Sequence, residues 1–147
     1  MNYFSSSISK NWLGVLPSFE PNKGVRIKVP DEKGSGNWIG APSVLYTSEE
    51  GFFYMVYRVR KPKPKRGIEC RVSRSRDGFE FQDIWSVSKK AFDSPSMERG
   101  NLLLTPDGNY HLYISFVDGE TNQWRIHKME ASSPWHFDPD ESISVLT

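Results

Sequence analysis

Two segments of the chain match each other at an offset of 57 residues. Residues 51–58 (GFFYMVYR) resemble residues 108–115 (GNYHLYIS), and each segment follows a short apolar run and a polar turn. A fixed internal period predicts an array of similar structural units, as in solenoids and propellers. The repeat therefore constrains the fold more than any single motif does.

Short apolar or alternating runs, separated by turn residues, fill most of the chain after residue 36. They predict eight strands, at 42–47, 52–60, 68–72, 79–87, 100–105, 110–117, 123–129 and 143–146. The run at 52–60 is apolar on both faces at first, which indicates that both faces are covered. No stretch has a sustained 3.6-residue period.

Four short antiparallel strands in each repeat predict an all-β fold with about two β-propeller blades. We place the blades at about 37–90 and 97–147, after an N-terminal segment, 1–36, that is irregular apart from one alternating strand at 25–29. Propellers usually have about four to eight blades, so we expect a partial propeller. A seven- or eight-stranded sandwich with coincidentally similar hairpins is the alternative.

Composition narrows the function classes. The chain is 37% apolar and 14% aromatic, which is typical of a globular protein, and its net charge of +1 argues against nucleic acid or an anionic membrane as partner. A single cysteine, Cys70, and no recognisable signal peptide lead us to expect a cytoplasmic protein. His111, His127 and His136 have no metal-ligand spacing, so we expect no metal and no other cofactor.

A set of motifs resembles one known superfamily. Residues 38–45 (WIGAPSVL) are followed by 51–58 and by 75–81 (SRDGFEF), and residues 97–100 (MERG) precede the second copy of the repeat. Together they resemble the five-bladed propeller glycosidases, the arabinanase, invertase and levansucrase superfamily that includes glycoside hydrolase families 43, 32 and 130. The resemblance covers about residues 37–131.

The resemblance implies a carbohydrate site at one end of the innermost strands, with acidic residues near the strand starts. Glycoside hydrolysis needs two carboxyl groups that flank the scissile bond. In the hydrolase relatives the first inner strand typically starts Asp-Pro, but here it reads Ala41-Pro42. Alanine can neither accept a proton nor attack carbon, so the usual first carboxylate is absent.

Glu98 holds the matching place in the second blade and is the candidate catalytic residue. The adjacent Arg99 would keep its carboxylate ionised, whereas a general acid needs a raised pKa. Glu98 is therefore better interpreted as a ligand for sugar hydroxyls or an electrostatic partner. An exposed salt bridge in a loop is the alternative.

Candidate substrate-binding residues accompany Glu98. Arg58 and Arg60 share one face of a strand, and the loop that follows brings back Arg66, so three guanidinium groups could hold a carboxylate or phosphate. A solvated strand end is the alternative. Trp38 is the candidate for stacking on a sugar, and we add Arg99 to the binding set.

Three other side chains are assigned to structure. We interpret Trp85 and Trp124 as packing residues, because aromatics in propeller blades more often fill the space between blades. Asp77, in the Asp77-Gly78 turn, is interpreted as tying down its own hairpin.

The leading hypothesis is thus a glycosidase-like propeller fragment that transfers a glycosyl group from a carbohydrate to water. One alternative is an inverting phosphorylase that uses arginine-bound phosphate. Another is a non-catalytic carbohydrate-binding or scaffold protein. Because two blades leave apolar faces uncovered, we also expect self-association or missing C-terminal blades.

Overall fold

The computed structural model describes residues 20–146, which form two four-stranded antiparallel sheets. The first sheet contains β1 (Trp38–Thr47), β2 (Phe52–Arg60), β3 (Gly67–Ser75) and β4 (Gln82–Ser88). The second contains β5 (Met97–Leu104), β6 (Tyr110–Val117), β7 (Trp124–Ala131) and β8 (Ile143–Leu146). Short 3-10 turns lie at Pro21–Lys23, Lys89–Phe92 and Pro139–Glu141.

In each sheet the strands lie side by side in chain order, which is the meander of a propeller blade. The prediction of an all-β fold with two four-stranded sheets is confirmed. The bounds of β6 and β8 agree with the sequence pattern, whereas β1 begins at Trp38, four residues before the predicted start. This early start carries Trp38 into the sheet and positions the residues of the candidate site.

Strand β2 is buried on both faces, as its double apolar pattern predicts. Tyr54 and Val56 point into the core between the two sheets, which also holds Leu112 and Ile114 from β6. On the other face, Met55, Tyr57 and Val59 form a smaller cluster. The first sheet therefore has a covered surface on each side.

Strand β5 lies directly against the first sheet, and a glycine makes this approach possible. A Cβ atom placed on Gly100 would lie 2.5 Å from Val56 Cγ1 and 3.0 Å from Cys70 Sγ. Atoms of a packed core do not approach so closely, so a side chain at this position would push the sheets apart. Cys70 is fully buried there, and burial raises the pKa of its thiol to about 12.

The predicted strand at 25–29 is wrong. This segment is not part of either sheet, and the side chains of Val25 and Val29 are 69% and 60% exposed. Lys28 points inward instead, where its Nζ binds Asp83 at 2.6 Å and lies 5.1 Å from the centre of the Tyr57 ring. These contacts fix the polar side of the segment against the sheet. The rest of the predicted N-terminal segment, 1–19, lies outside the described residues.

The structural interpretation of Asp77 agrees with its contacts. Its Oδ1 accepts hydrogen bonds from the amides of Phe79 and Glu80 at 2.8 and 2.9 Å and from Ser75 Oγ at 2.8 Å. The Glu80 and Phe79 amides, followed by the Ser75 hydroxyl, lower the pKa of Asp77 to about 2. The side chain thus holds its own β3–β4 hairpin.

The two tryptophans assigned to packing differ. Trp85 packs edge-on against the Phe137 ring at 5.4 Å, and its indole N–H donates to the Phe137 carbonyl at 3.0 Å. Trp124 is 49% exposed, so within the described residues it is packed less closely than Trp85, and its packing role stays a prediction. It pairs with Val117, on the face of the second sheet opposite the core residues Leu112 and Ile114.

Candidate functional site

The first strands of both sheets carry a bulge at the same point. In β1 the pairing passes from Gly40↔Arg58 to Ser43↔Val56, and in β5 it passes from Met97↔Phe116 to Gly100↔Ile114. Each bulge places one extra residue on the first strand. Ala41 and Glu98 are the first residues inside their bulges, so they occupy equivalent positions, and the backbone at Ala41 is left-handed with φ 53°.

The carboxylate of Glu98 forms an ion pair with Arg58 of the first sheet. The Arg58 side chain is 6% exposed and that of Glu98 30% exposed. Arg58 Nη1 also donates to the Met97 carbonyl at 3.4 Å. Sequence reasoning paired Glu98 with its neighbour Arg99, which is wrong among the described residues: the packing of the sheets presents Arg58 instead.

Trp38 lies beside the same arginine. The guanidinium carbon of Arg58 is 4.5 Å from the centre of a Trp38 ring, and that of Arg60 is 5.4 Å from it. Both arginines therefore point to one side of β2, as their spacing predicts. A solvated strand end is the wrong description of Arg58, which is buried and stacked on an aromatic ring.

Positive charge surrounds this ion pair. Burial and then the guanidinium groups of Arg60, Arg66 and Arg99 lower the pKa of Arg58. Arg66 lies exposed in the loop between β2 and β3, and Arg99 is exposed in the β5 bulge. The structure thus brings all six predicted site residues to one end of the inner strands, with one carboxylate among four arginines.

A cavity of about 310 Å³ opens between the two bulges. Ala41 and Pro42 line it from the first sheet and Arg99 from the second. Its other polar lining comes from Ser43, Asn101, Tyr113 and Ser115. Ser43 Oγ donates to Asn101 Oδ1, which joins the two sheets beside the cavity.

Sequence reasoning missed the polar lining of this cavity. Tyr113 and Ser115 belong to the second copy of the repeat, and their spacing of two already indicates a shared face. Asn101 has no such signal, because its role depends on Ser43 in the other sheet.

The two bulges supply one carboxyl group rather than a pair. Glu98 is the only carboxyl-bearing side chain on the two first strands, β1 and β5, and it is held by the Arg58 guanidinium group. Its partner Arg58 lies against the Trp38 ring, and guanidinium, hydroxyl and amide groups line the neighbouring cavity, which suits the hydroxyl groups of a sugar. Within residues 20–146, no group of three or more His, Cys, Asp or Glu side chains is arranged to hold a metal ion.

Solved structures match the fold of the two sheets. A GH43_1 enzyme from Xanthomonas citri complexed with xylose superposes with a TM-score of 0.57 at 14% identity over 70% of this chain. A putative glycoside hydrolase from Parabacteroides distasonis gives 0.59 at 14% over 82%, and Bacillus subtilis levansucrase with oligosaccharides gives 0.57 at 12% over 89%. The two sheets have the fold of glycosidase propeller blades. The sandwich alternative is therefore wrong.

The same matches show what share of each solved structure the chain covers. It covers 32%, 40% and 35% of those three structures, so it spans little more than a third of their length. A 5-deoxy-glucuronate isomerase from Bacillus licheniformis is 23% identical over 126 residues, which cover 77% of this chain and 42% of the isomerase. No model of a known protein family matches the sequence. Among residues 20–146, no helix is long and apolar enough to cross a membrane.

Proposed function

We propose that the inner-strand end of this chain binds a carbohydrate as part of a glycosidase-like propeller. The observation that carries the proposal is the meeting of Glu98, Arg58 and Trp38 at the bulges of β1 and β5, beside the 310 Å³ cavity. Cavities of about 300 Å³ and more are typical of small-ligand sites. The sugar ligands of the similar solved structures, xylose and oligosaccharides, support the same ligand class.

For the reaction, we propose glycosyl transfer to water with Glu98 as the ionised carboxylate of the pair. Glycoside hydrolysis needs a second carboxyl group that can protonate the leaving oxygen. Ala41 stands at the equivalent position of the first sheet, so that second group would come from outside β1 and β5. In this role Glu98 accepts hydrogen bonds from sugar hydroxyls or from the attacking water.

A second candidate function is carbohydrate binding without catalysis. The observation that favours it is Ala41, since an alanine in the β1 bulge leaves the site with a single inner carboxylate. The same arginines would suit phosphate as the acceptor in a phosphorylase. Turnover measured with and without phosphate separates these three activities.

The test combines binding and turnover. A panel of oligosaccharides and aryl glycosides is titrated by calorimetry against the wild-type chain, Glu98→Gln and Asp107→Asn, a control in the exposed turn between β5 and β6. We expect Glu98→Gln to weaken binding about tenfold, the effect of losing one charge-assisted hydrogen bond, and Asp107→Asn to leave it unchanged. Failure of the wild-type chain to bind any member of the panel would overturn the proposal.

Turnover then assigns the chemistry. Hydrolysis that Glu98→Gln removes supports glycosyl transfer to water, and release of a sugar phosphate only when phosphate is present supports the phosphorylase. Binding without turnover in either condition supports the non-catalytic candidate.

A further inference from the structure

The inner-strand end carries more positive charge than the chain as a whole. The net charge of the whole protein is only +1, yet Arg60, Arg66 and Arg99 all lie close enough to Arg58 to lower its pKa. The one carboxylate among them, Glu98, is already paired with Arg58. About three positive charges at this end therefore have no local counter-charge on the inner strands.

Arg99 differs from two other partly exposed arginines, whose guanidinium groups form ion pairs. Arg71 binds Asp31 at 2.7 Å, and Arg125 lies 3.6 Å from Asp118. Arg99 has no ion pair within residues 20–146, and it opens onto the cavity between the bulges. Its neighbour Glu98 is held by the buried Arg58, so Glu98 does not neutralise it.

We propose that this site selects a carbohydrate that carries an anionic group and that Arg99 binds that anion. The inference rests on the carbohydrate function proposed above and names the substrate class of the same site. A guanidinium group binds a carboxylate or a phosphate through two parallel N–H···O bonds. Asn101, Tyr113 and Ser115, in the same cavity, are placed to hold the sugar hydroxyls.

The geometry also explains why a neutral sugar is the poorer ligand. A neutral ligand would leave the arginine charges without a counter-charge while it displaced the water that solvates them. An anionic ligand meets these charges, so it gains binding free energy that its neutral counterpart lacks.

The experiment is calorimetry on the full chain with matched ligands. A uronic acid disaccharide is compared with the neutral disaccharide of the same linkage, and a sugar phosphate with inorganic phosphate alone. We expect the anionic sugars to bind about tenfold or more tightly than the neutral one, with a preference that shrinks as salt is added. Whether the uronate or the sugar phosphate binds more tightly identifies the anion.

Variants locate the anion. Arg99→Gln is expected to remove the preference for the anionic over the neutral disaccharide, while Arg99→Lys keeps part of this preference, because the positive charge remains without the forked guanidinium group. Arg76→Gln is the control, because Arg76 is an exposed arginine in the β3–β4 turn, at the other end of the sheet. Its ligand preference is expected to match that of the wild type.

Four outcomes would overturn the inference. Equal affinity for the neutral and anionic disaccharides rejects it and leaves the proposed carbohydrate function intact. An unchanged preference in Arg99→Gln rejects Arg99 as the anchor. Inorganic phosphate bound as tightly as the sugar phosphate, with no neutral sugar bound, shows an anion site unrelated to carbohydrate. No binding of any ligand rejects the proposed function itself.

Discussion

At the scale of single residues, the ion pair between Glu98 and Arg58 is the main contact of the candidate site. It joins the two sheets through charges that lie far apart in the sequence. Arg58 is 5% exposed and its Nε has no hydrogen-bond partner among the described residues. A buried charge of this kind depends on its one carboxylate, because an unpaired ion is expensive to keep out of water.

Removal of either charge should therefore destabilise the protein more than removal of both. We expect Glu98→Leu to lower the free energy of unfolding by about 3 kcal/mol, the lower end of the range for breaking a buried pair, because the Glu98 side chain is 30% exposed. The double variant Glu98→Leu with Arg58→Met should recover most of this loss. Urea unfolding of the single and double variants measures the coupling.

The exposed pair of Lys61 and Glu32 is the control for that cycle, since Glu32 lies open to solvent and its variants should change stability little. Equal losses in the buried and exposed pairs would contradict this account of Arg58.

Asp77 provides a pH test. Its pKa in the folded protein is about 2, below its ordinary value of 3.8, because the amides of Glu80 and Phe79 and the Ser75 hydroxyl bind the ionised form. The stabilisation is therefore present above about pH 4 and is lost as the pH falls toward 2. In Asp77→Asn this part of the acid dependence should be missing from the urea midpoint.

The control for Asp77 is Glu80→Gln, which lies in the same turn and whose side chain accepts no hydrogen bond among the described residues. If Asp77→Asn and the wild type lost stability in parallel from pH 4 to 2, the assignment of Asp77 to the hairpin would be refuted.

At the scale of the elements, local pattern predicts the strands but not their irregularities. Alternation and turn residues place all eight strands, because side-chain period and turn chemistry are local properties. The bulges of β1 and β5 depend on which residue of the next strand pairs with them, which alternation does not reveal. The repeat nevertheless aligns Ala41 with Glu98 correctly, since both bulges occupy the same place in the unit.

For the segment 25–29, the local pattern predicts a strand that the structure does not contain. Its alternation is that of a strand, but Lys28 and the nearby Asp31 instead form ion pairs with side chains of the first sheet. Interactions between distant charges override the local pattern there. For the same reason, the sequence identifies the arginines of the candidate site but not the partner of Glu98.

The close packing of β5 against the first sheet depends on Gly100. We expect Gly100→Ala to lower the free energy of unfolding by about 1–3 kcal/mol, which is the usual effect of overpacking a core. The reason is that the added Cβ would press on Val56 and Cys70. Val56→Ala in the same chain should recover part of the loss by making room. Thermal unfolding of the single and double variants measures both effects.

Gly108→Ala is the matched control. This glycine has φ 86° and open space around its Cβ position, so its loss comes from backbone strain alone. Val56→Ala should therefore not rescue it. A rescue of both glycine variants, or of neither, would contradict the steric explanation for Gly100.

At the scale of the whole molecule, the second sheet has an uncovered face. Leu103 and Trp124 are 43% and 49% exposed, and register places them on the face of the second sheet opposite the core residues Leu112 and Ile114. Exposed apolar residues grouped on one face are typical of interaction surfaces. The sequence predicts an uncovered apolar face, because two blades are too few to close a propeller, but it does not identify the residues on that face.

We expect this face to drive association of the 147-residue chain in isolation. Sedimentation velocity across a wide range of concentration should show oligomers of the wild type and a shift to monomer in Trp124→Lys. Phe79→Lys is the control, because Phe79 is 59% exposed on the β3–β4 hairpin of the first sheet. A wild type that stays monomeric at every concentration would contradict the expectation.

Carbohydrate binding at the inner-strand end can be followed residue by residue through the NMR shifts of backbone amides and indole N–H groups. On titration with the tightest-binding sugar of the panel, we expect the largest shifts to fall on Trp38, Arg58, Glu98, Arg99 and Asn101. Shifts confined to the opposite end, around Glu50 and the β5–β6 turn, would contradict it.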